Sequence, residues 1–158
     1  MKKFSITELL ISVAAAELTG ALSALIAGDF QRGYEAMVRP PLSPPGFVFP
    51  VVWTVLYALM GISAYLIYRS DADDTEKTDG IKLYISQLAL NFLWSIVYFR
   101  LDMKIPGAII IAALIITVFA MIMQFSKINK TAALLNIPYL LWLIFALYLN
   151  IGTVVLNR

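Results

Sequence analysis

Five apolar stretches, residues 6–27, 47–68, 81–99, 105–125 and 131–156, confine this chain to a lipid bilayer. A helix needs about 20 apolar residues to cross the hydrocarbon core. Four of the stretches meet that length comfortably, and 81–99 only just does. Inside hydrocarbon every backbone N–H and C=O must find a partner within the chain, which leaves helices as the available element. The pattern predicts an all-α integral membrane protein, a five-transmembrane-helix bundle forming a single domain over residues 1–158. Hydrophobic residues make up 61% of the chain, leaving no length for a separate soluble domain. The start, Met-Lys-Lys-Phe, has the look of a secretion signal. Glu8 and Glu17 interrupt what would be its apolar core and further spans follow, so a retained first helix is expected.

What is missing narrows the chemistry. The chain has no Cys and no His. Disulfides, thiol nucleophiles and Cys-ligated clusters are excluded, and the commonest general base, metal ligand and haem axial ligand are removed. No metal site is expected. Lys and Arg number 12 against 10 Asp and Glu, too even a balance for a nucleic-acid-binding face. One side of the membrane would collect Lys2, Lys3, Arg69, Lys77, Lys82, Lys127 and Lys130, the other Arg32, Arg39, Arg100, Lys104 and Arg158. By the positive-inside rule this favours a cytoplasmic N-terminus.

The first helix carries small residues at four-residue spacing, Ser12, Ala16, Gly20, Ala24 and Gly28, beside a second row, Ala15, Thr19, Ser23 and Ala27. Such rows let helices approach closely, within one chain or across a dimer. Glu17, near mid-helix, should face the bundle interior. A loop over residues 29–46 ends in a Pro-rich run, residues 40–45, stiff enough to act as a lid over one end of the bundle or as a plain spacer. Residues 70–80 are polar and Asp-rich and read as a mobile connector. Pro138 falls inside the fifth stretch, where it should bend the helix and free a carbonyl for a neighbour to satisfy.

Trp usually sits at the membrane–water interface, yet Trp53, Trp94 and Trp142 lie well inside their spans. Gln87, Asn91, Trp94 and Tyr98 share one face of the third helix, Trp53, Tyr57 and Gly61 one face of the second. Pro138, Trp142, Phe145, Ala146 and Leu149 do so on the fifth. Aromatic stripes at helical spacing usually serve packing. The amides of Asn91 and Gln87 argue for more, because a packing surface in lipid has no use for them. Flat walls with one or two amides suit a large, planar, mostly apolar ligand such as a porphyrin, a polycyclic drug or a sterol.

Four runs carry a resemblance: YEAMVRPPLSPPGF (34–47), VWTVLY (52–57), QLALNFLWSIVYF (87–99) and PYLLWLIFALYLN (138–150). In order and spacing they resemble the tryptophan-rich sensory protein and mitochondrial translocator protein (TspO/MBR) family, also called peripheral-type benzodiazepine receptors. The resemblance covers nearly the whole chain. It implies a five-helix bundle in the membrane, here a prokaryotic cell membrane, commonly a homodimer, with the first loop closing over a pocket. It also implies binding of protoporphyrin IX, haem or another tetrapyrrole as ligand, with no cofactor required. Benzodiazepine-type compounds are further family ligands.

By motif position the resemblance implies Trp53, Asn91, Trp94, Trp142, Ala146 and Leu149 as site residues, and the candidate ligand-binding set further includes Tyr34, Tyr57, Gln87, Tyr98 and Phe145. Some bacterial members are associated with light-dependent protoporphyrin breakdown, and Trp53 and Trp142 match the tryptophans linked to it. An enzyme is therefore the alternative to a receptor-like binder, and a small-molecule or sterol transporter a further one. The chain departs from the pattern at Gly33, where the family has Trp, at Arg39, where it has Lys, and at Leu42, where it has an aromatic residue. Tyr148 has no basic residue close behind it, so the family's sterol motif is absent.

Overall fold

The computed structural model describes residues 4–157. Lys2, Lys3 and Arg158, which contribute to the charge asymmetry of the loops and termini, lie outside the described residues. Helix α1 (Ile6–Ala27) starts where the Ser5 hydroxyl accepts the Glu8 N–H at 3.4 Å, and it stops at Gly28, whose φ of 84° few other residues adopt. A short α2 (Phe30–Ala36) follows, capped by Asp29. Then come α3 (Val48–Tyr68) and α4 (Asp74–Ser95), the latter running into a π-helical turn, Ile96–Arg100. The last elements are α5 (Lys104–Ile128), α6 (Lys130–Leu134) and α7 (Ile137–Leu156). Among the described residues five segments are long and apolar enough to span a membrane: α1, α3, α4 with its π turn, α5, and α6 with α7.

Two expectations fail locally. Much of the 70–80 connector is helical, because Asp73 accepts the Thr75 N–H at 2.9 Å and starts α4 at Asp74. Ion pairs Lys77–Asp74 at 3.1 Å and Lys82–Asp79 at 3.2 Å then support the polar first turns. Pro138 does not kink a continuous helix. The chain breaks at residues 135–136, and Pro138 falls in the first turn of a fresh helix, where its missing N–H costs nothing. The break is sealed from another helix. Ser63 on α3 donates to the Ala132 carbonyl at 2.8 Å, and Asn136 Nδ2 donates to the same carbonyl at 2.9 Å and to Ser63 Oγ at 2.6 Å.

Helix α1 lies against α3 and α4, α4 packs on α5, and α5 on α7. Aromatic side chains bridge α3 to α7, with Trp53 and Tyr139 ring centres 6.1 Å apart. The core runs down the middle through Met60, Ile111, Leu114, Met121, Phe125 and Leu143, all fully buried. Lipid tails are as apolar as these side chains, so close packing and interhelical hydrogen bonds hold the bundle, each bond contributing about 0.6–2 kcal/mol.

The small residues of α1 serve that packing. Gly61 lies against the Val13 backbone, and Ser12 Oγ donates to the Gly61 carbonyl at 2.7 Å. At the membrane edge Glu8 pairs with Arg69 at 2.9 Å. The outer face of α1, with Leu10, Ile11, Leu18, Leu22 and Leu25, is exposed.

The Pro-rich segment is tied to the end of α7. Val38 N–H donates to Asn157 Oδ1 at 3.0 Å, and Tyr148 donates its hydroxyl to the Pro41 carbonyl at 2.8 Å. Pro40 packs so closely on Gly152 that a β-carbon there would collide with its ring. Leu42 holds a φ of 66° in the turn that Ser43 N–H closes onto the Pro40 carbonyl, a conformation normally given to Gly or Asn.

Candidate ligand-binding cavity

A cavity of about 410 Å³ opens between α1, α3, α4 and the π turn. That volume is within the range of small-molecule sites. Its α3 wall is Phe49, Pro50, Trp53, Thr54 and Tyr57, one helical face. Asn91, Trp94 and Ser95 of α4 and Phe99 of the π turn form the second wall. The third is α1, through Gly20, Ala21 and Ala24, with Gly28 just past its end. Gly20 is required: a β-carbon there would overlap the Tyr57 ring.

Four of the site residues expected from the sequence therefore meet around one space: Trp53, Tyr57, Asn91 and Trp94. Trp53 and Trp94 ring centres are 6.1 Å apart, and Trp53 and Tyr57 are 5.8 Å apart. Tyr57 accepts a hydrogen bond from Asn91 Nδ2 at 2.9 Å, which fixes the amide. Among the described residues Asn91 Oδ1 and Trp94 Nε1 find no hydrogen-bond partner, although Asn91 is 1% and Trp94 5% exposed. An unpaired buried polar atom costs about 1–3 kcal/mol, so each is a standing invitation to a ligand or water.

The other expected residues lie elsewhere. Gln87 is fully buried deeper in the bundle, where Oε1 accepts from the Tyr139 hydroxyl at 2.9 Å. It ties α4 to α7 and does not line the cavity. Tyr98 stacks on Trp94 at 5.6 Å from behind, under the Lys104 ammonium. Ala146 and Leu149 are buried in the bundle away from the cavity lining.

Trp142 and Phe145 line a separate shallow groove between α3 and α7. Trp53 and Trp142 thus open onto different spaces, and Phe49 stands between them, its ring 5.8 Å from Trp142 and itself part of the cavity wall. Tyr34 lies outside the cavity lining, edge to face with Phe49 at 5.0 Å, and donates its hydroxyl to the Pro44 carbonyl at 2.7 Å. Phe49 and Phe99 were not singled out from the sequence. Phe49 could have been, since it lies one turn before Trp53.

The family model described as the TspO/MBR family matches residues 10–156. A tryptophan-rich protein TspO of Archaeoglobus fulgidus is 35% identical over 154 residues, 97% of this chain and 99% of that protein. One from Chlorobaculum tepidum is 35% identical over 124 residues, 78% of each chain. The human translocator protein is 32% identical over 131 residues, 81% of this chain and 76% of its own length. The bacterial and archaeal relatives fit a prokaryotic origin. With five spanning helices and this match over nearly all of its length, the chain is an integral membrane protein that belongs to the TspO/MBR family.

Proposed function

We propose that the protein is a receptor-like membrane protein that binds tetrapyrroles, such as protoporphyrin IX, and related planar apolar ligands in the cavity between α1, α3 and α4. The carrying observation is the pairing of flat aromatic walls, Trp53, Tyr57, Trp94 and Phe99, with buried polar atoms that lack partners, Asn91 Oδ1 and Trp94 Nε1. Aromatic rings give stacking area to a macrocycle, and the free acceptor and donor fix its orientation. Without His or Cys an iron porphyrin would be held by shape and stacking. At the Gly28 end of the cavity Arg100 Nη1 lies close by, where it can meet an acidic ligand substituent. The loop bound to α7 would act as the lid, and the working unit would be a homodimer whose contact is an outer apolar face.

Titrating the purified protein with protoporphyrin IX in the dark, following Trp fluorescence and porphyrin absorbance, tests the reading. Saturable binding that weakens in Trp53→Ala and Asn91→Leu supports it, and binding indifferent to both variants overturns it.

A second reading, light-dependent porphyrin degradation, is favoured by Trp53, an oxidisable ring in the cavity wall itself. Illumination of the bound complex separates the two. A binder returns the porphyrin intact, whereas an enzyme changes its spectrum.

A further inference from the structure

Charge in the cavity has one sign. Among the described residues its lining holds two carboxylates, Glu17 and Asp29, and no Lys or Arg. Asp29 is occupied, since it caps α2 through the Arg32 N–H and pairs with the Arg32 guanidinium at 3.3 Å. Glu17 has no such account. Among the described residues no cation or hydrogen-bond donor reaches its carboxyl group, which lies near the middle of α1 on the cavity lining. Arg100, near Gly28 at the rim, is too distant to serve. Glu17 is about 16 Å deeper along α1, at 1.5 Å per residue.

An acidic side chain at membrane depth is stable when it faces a cavity and meets an opposite charge there. The site around it is otherwise ready for a flat apolar body, with Trp53 and Trp94 on the opposite walls. The rim residues Ala21, Ala24 and Thr54 are exposed and belong to spanning helices, so the mouth faces lipid. Molecules that reach it would already be dissolved in the bilayer.

We infer that the cavity selects cationic amphiphiles: planar, membrane-soluble molecules carrying a protonated amine, which pairs with Glu17 while the ring system stacks against Trp53 and Trp94. The inference rests on this cavity being the ligand site but not on a tetrapyrrole being the ligand. It adds a requirement that stacking alone does not impose. A positive charge at one end of the ligand becomes an advantage, and a negative charge at that end is excluded.

Two probes of nearly equal shape test this. In neutral solution 9-aminoacridine is a cation, whereas acridine is uncharged. Both are titrated into the protein in an uncharged maltoside detergent, with Trp quenching as the readout and protoporphyrin IX titrated in parallel. The wild-type protein should bind 9-aminoacridine at least about tenfold more tightly than acridine, a difference of about 1.4 kcal/mol. In Glu17→Gln that preference should fall below about threefold, with Glu17→Asp retaining most of it. Helical dichroism and thermal melting establish that the variants are folded.

Should Glu17→Gln fail to fold, the wild-type comparison still decides, because equal affinity for the two probes overturns the inference. A preference that survives in folded Glu17→Gln also overturns it. Porphyrin binding without a preference for the cation would sink this inference and leave the tetrapyrrole reading standing. Preference for the cation without porphyrin binding does the reverse.

Discussion

Gly20 on α1 lies directly against the ring of Tyr57 on α3, leaving no space for even a methyl group between them. That contact sets the position of the Tyr57 hydroxyl, which in turn holds the Asn91 amide. Gly20→Ala should displace Tyr57, destabilise the protein by about 1–3 kcal/mol as an overpacked site, and weaken ligand binding. Thermal melting and a porphyrin titration on the same preparation would reveal both. A variant as stable and as tight-binding as wild type would mean that Tyr57 has another place to go.

Tyr57→Phe isolates the hydroxyl. It leaves Asn91 with neither amide atom paired, and a loss of about 1–3 kcal/mol in stability is expected. Ligand affinity should change as well, because the freed amide can rotate. Unchanged stability would show that water satisfies Asn91 and that the Tyr57 bond is dispensable.

Ser63→Ala should be costly for a residue of its size. Its hydroxyl both donates to the Ala132 carbonyl and accepts from Asn136, across the break between α6 and α7. Removal strips one partner from two buried groups, for about 1–3 kcal/mol each at most. Hydrogen exchange should quicken at residues 135–137 ahead of the rest of α7. Uniform protection along α7 would contradict this account of the break.

Illumination distinguishes the two tryptophans. Trp53→Phe should slow any light-driven loss of bound porphyrin more than Trp142→Phe does, because Trp53 lines the cavity and Trp142 lies beyond Phe49. Absorbance of the bound porphyrin under constant light is the measurement. The opposite ranking would place the ligand on the groove side, against α7.

The start of α4 should loosen in acid. Hydrogen bonds from the Thr75 backbone N–H and hydroxyl hold the Asp73 carboxyl below its ordinary range. A group depressed in the folded state contributes stability above its unfolded value and loses it as pH falls through the folded one. Exchange at residues 75–77 should therefore rise in acid before the membrane helices respond, and Asp73→Asn should remove that dependence.

The spans were legible because twenty apolar residues in a row have few other uses. The polar start of α4 has a loop-like composition, although Asp73 followed by Glu76 three residues later is a recognisable capping pattern. Helical phase correctly grouped Trp53 with Tyr57, and Asn91 with Trp94, because both pairs stay within one regular helix. It does not say how far α7 turns toward α3, and Trp142, expected at the ligand site, lines a different groove. Gln87 shares a face with Asn91 yet lies deeper, and depth along an axis is not a periodicity. Phe99 escaped for a geometric reason. The π turn adds a residue to the turn after Trp94, and a search at 3.6-residue spacing passes over it.

Of the five spanning segments α1 is the least buried, yet it supplies one whole wall of the cavity. Away from its glycine and serine contacts with α3, substitutions along α1 reach a ligand without disturbing the residues that hold the bundle together. Evolution can therefore retune what the cavity accepts at small cost to folding. Among relatives that share the bundle, ligand preference should diverge first along this helix, and a laboratory search for altered selectivity would do well to begin there.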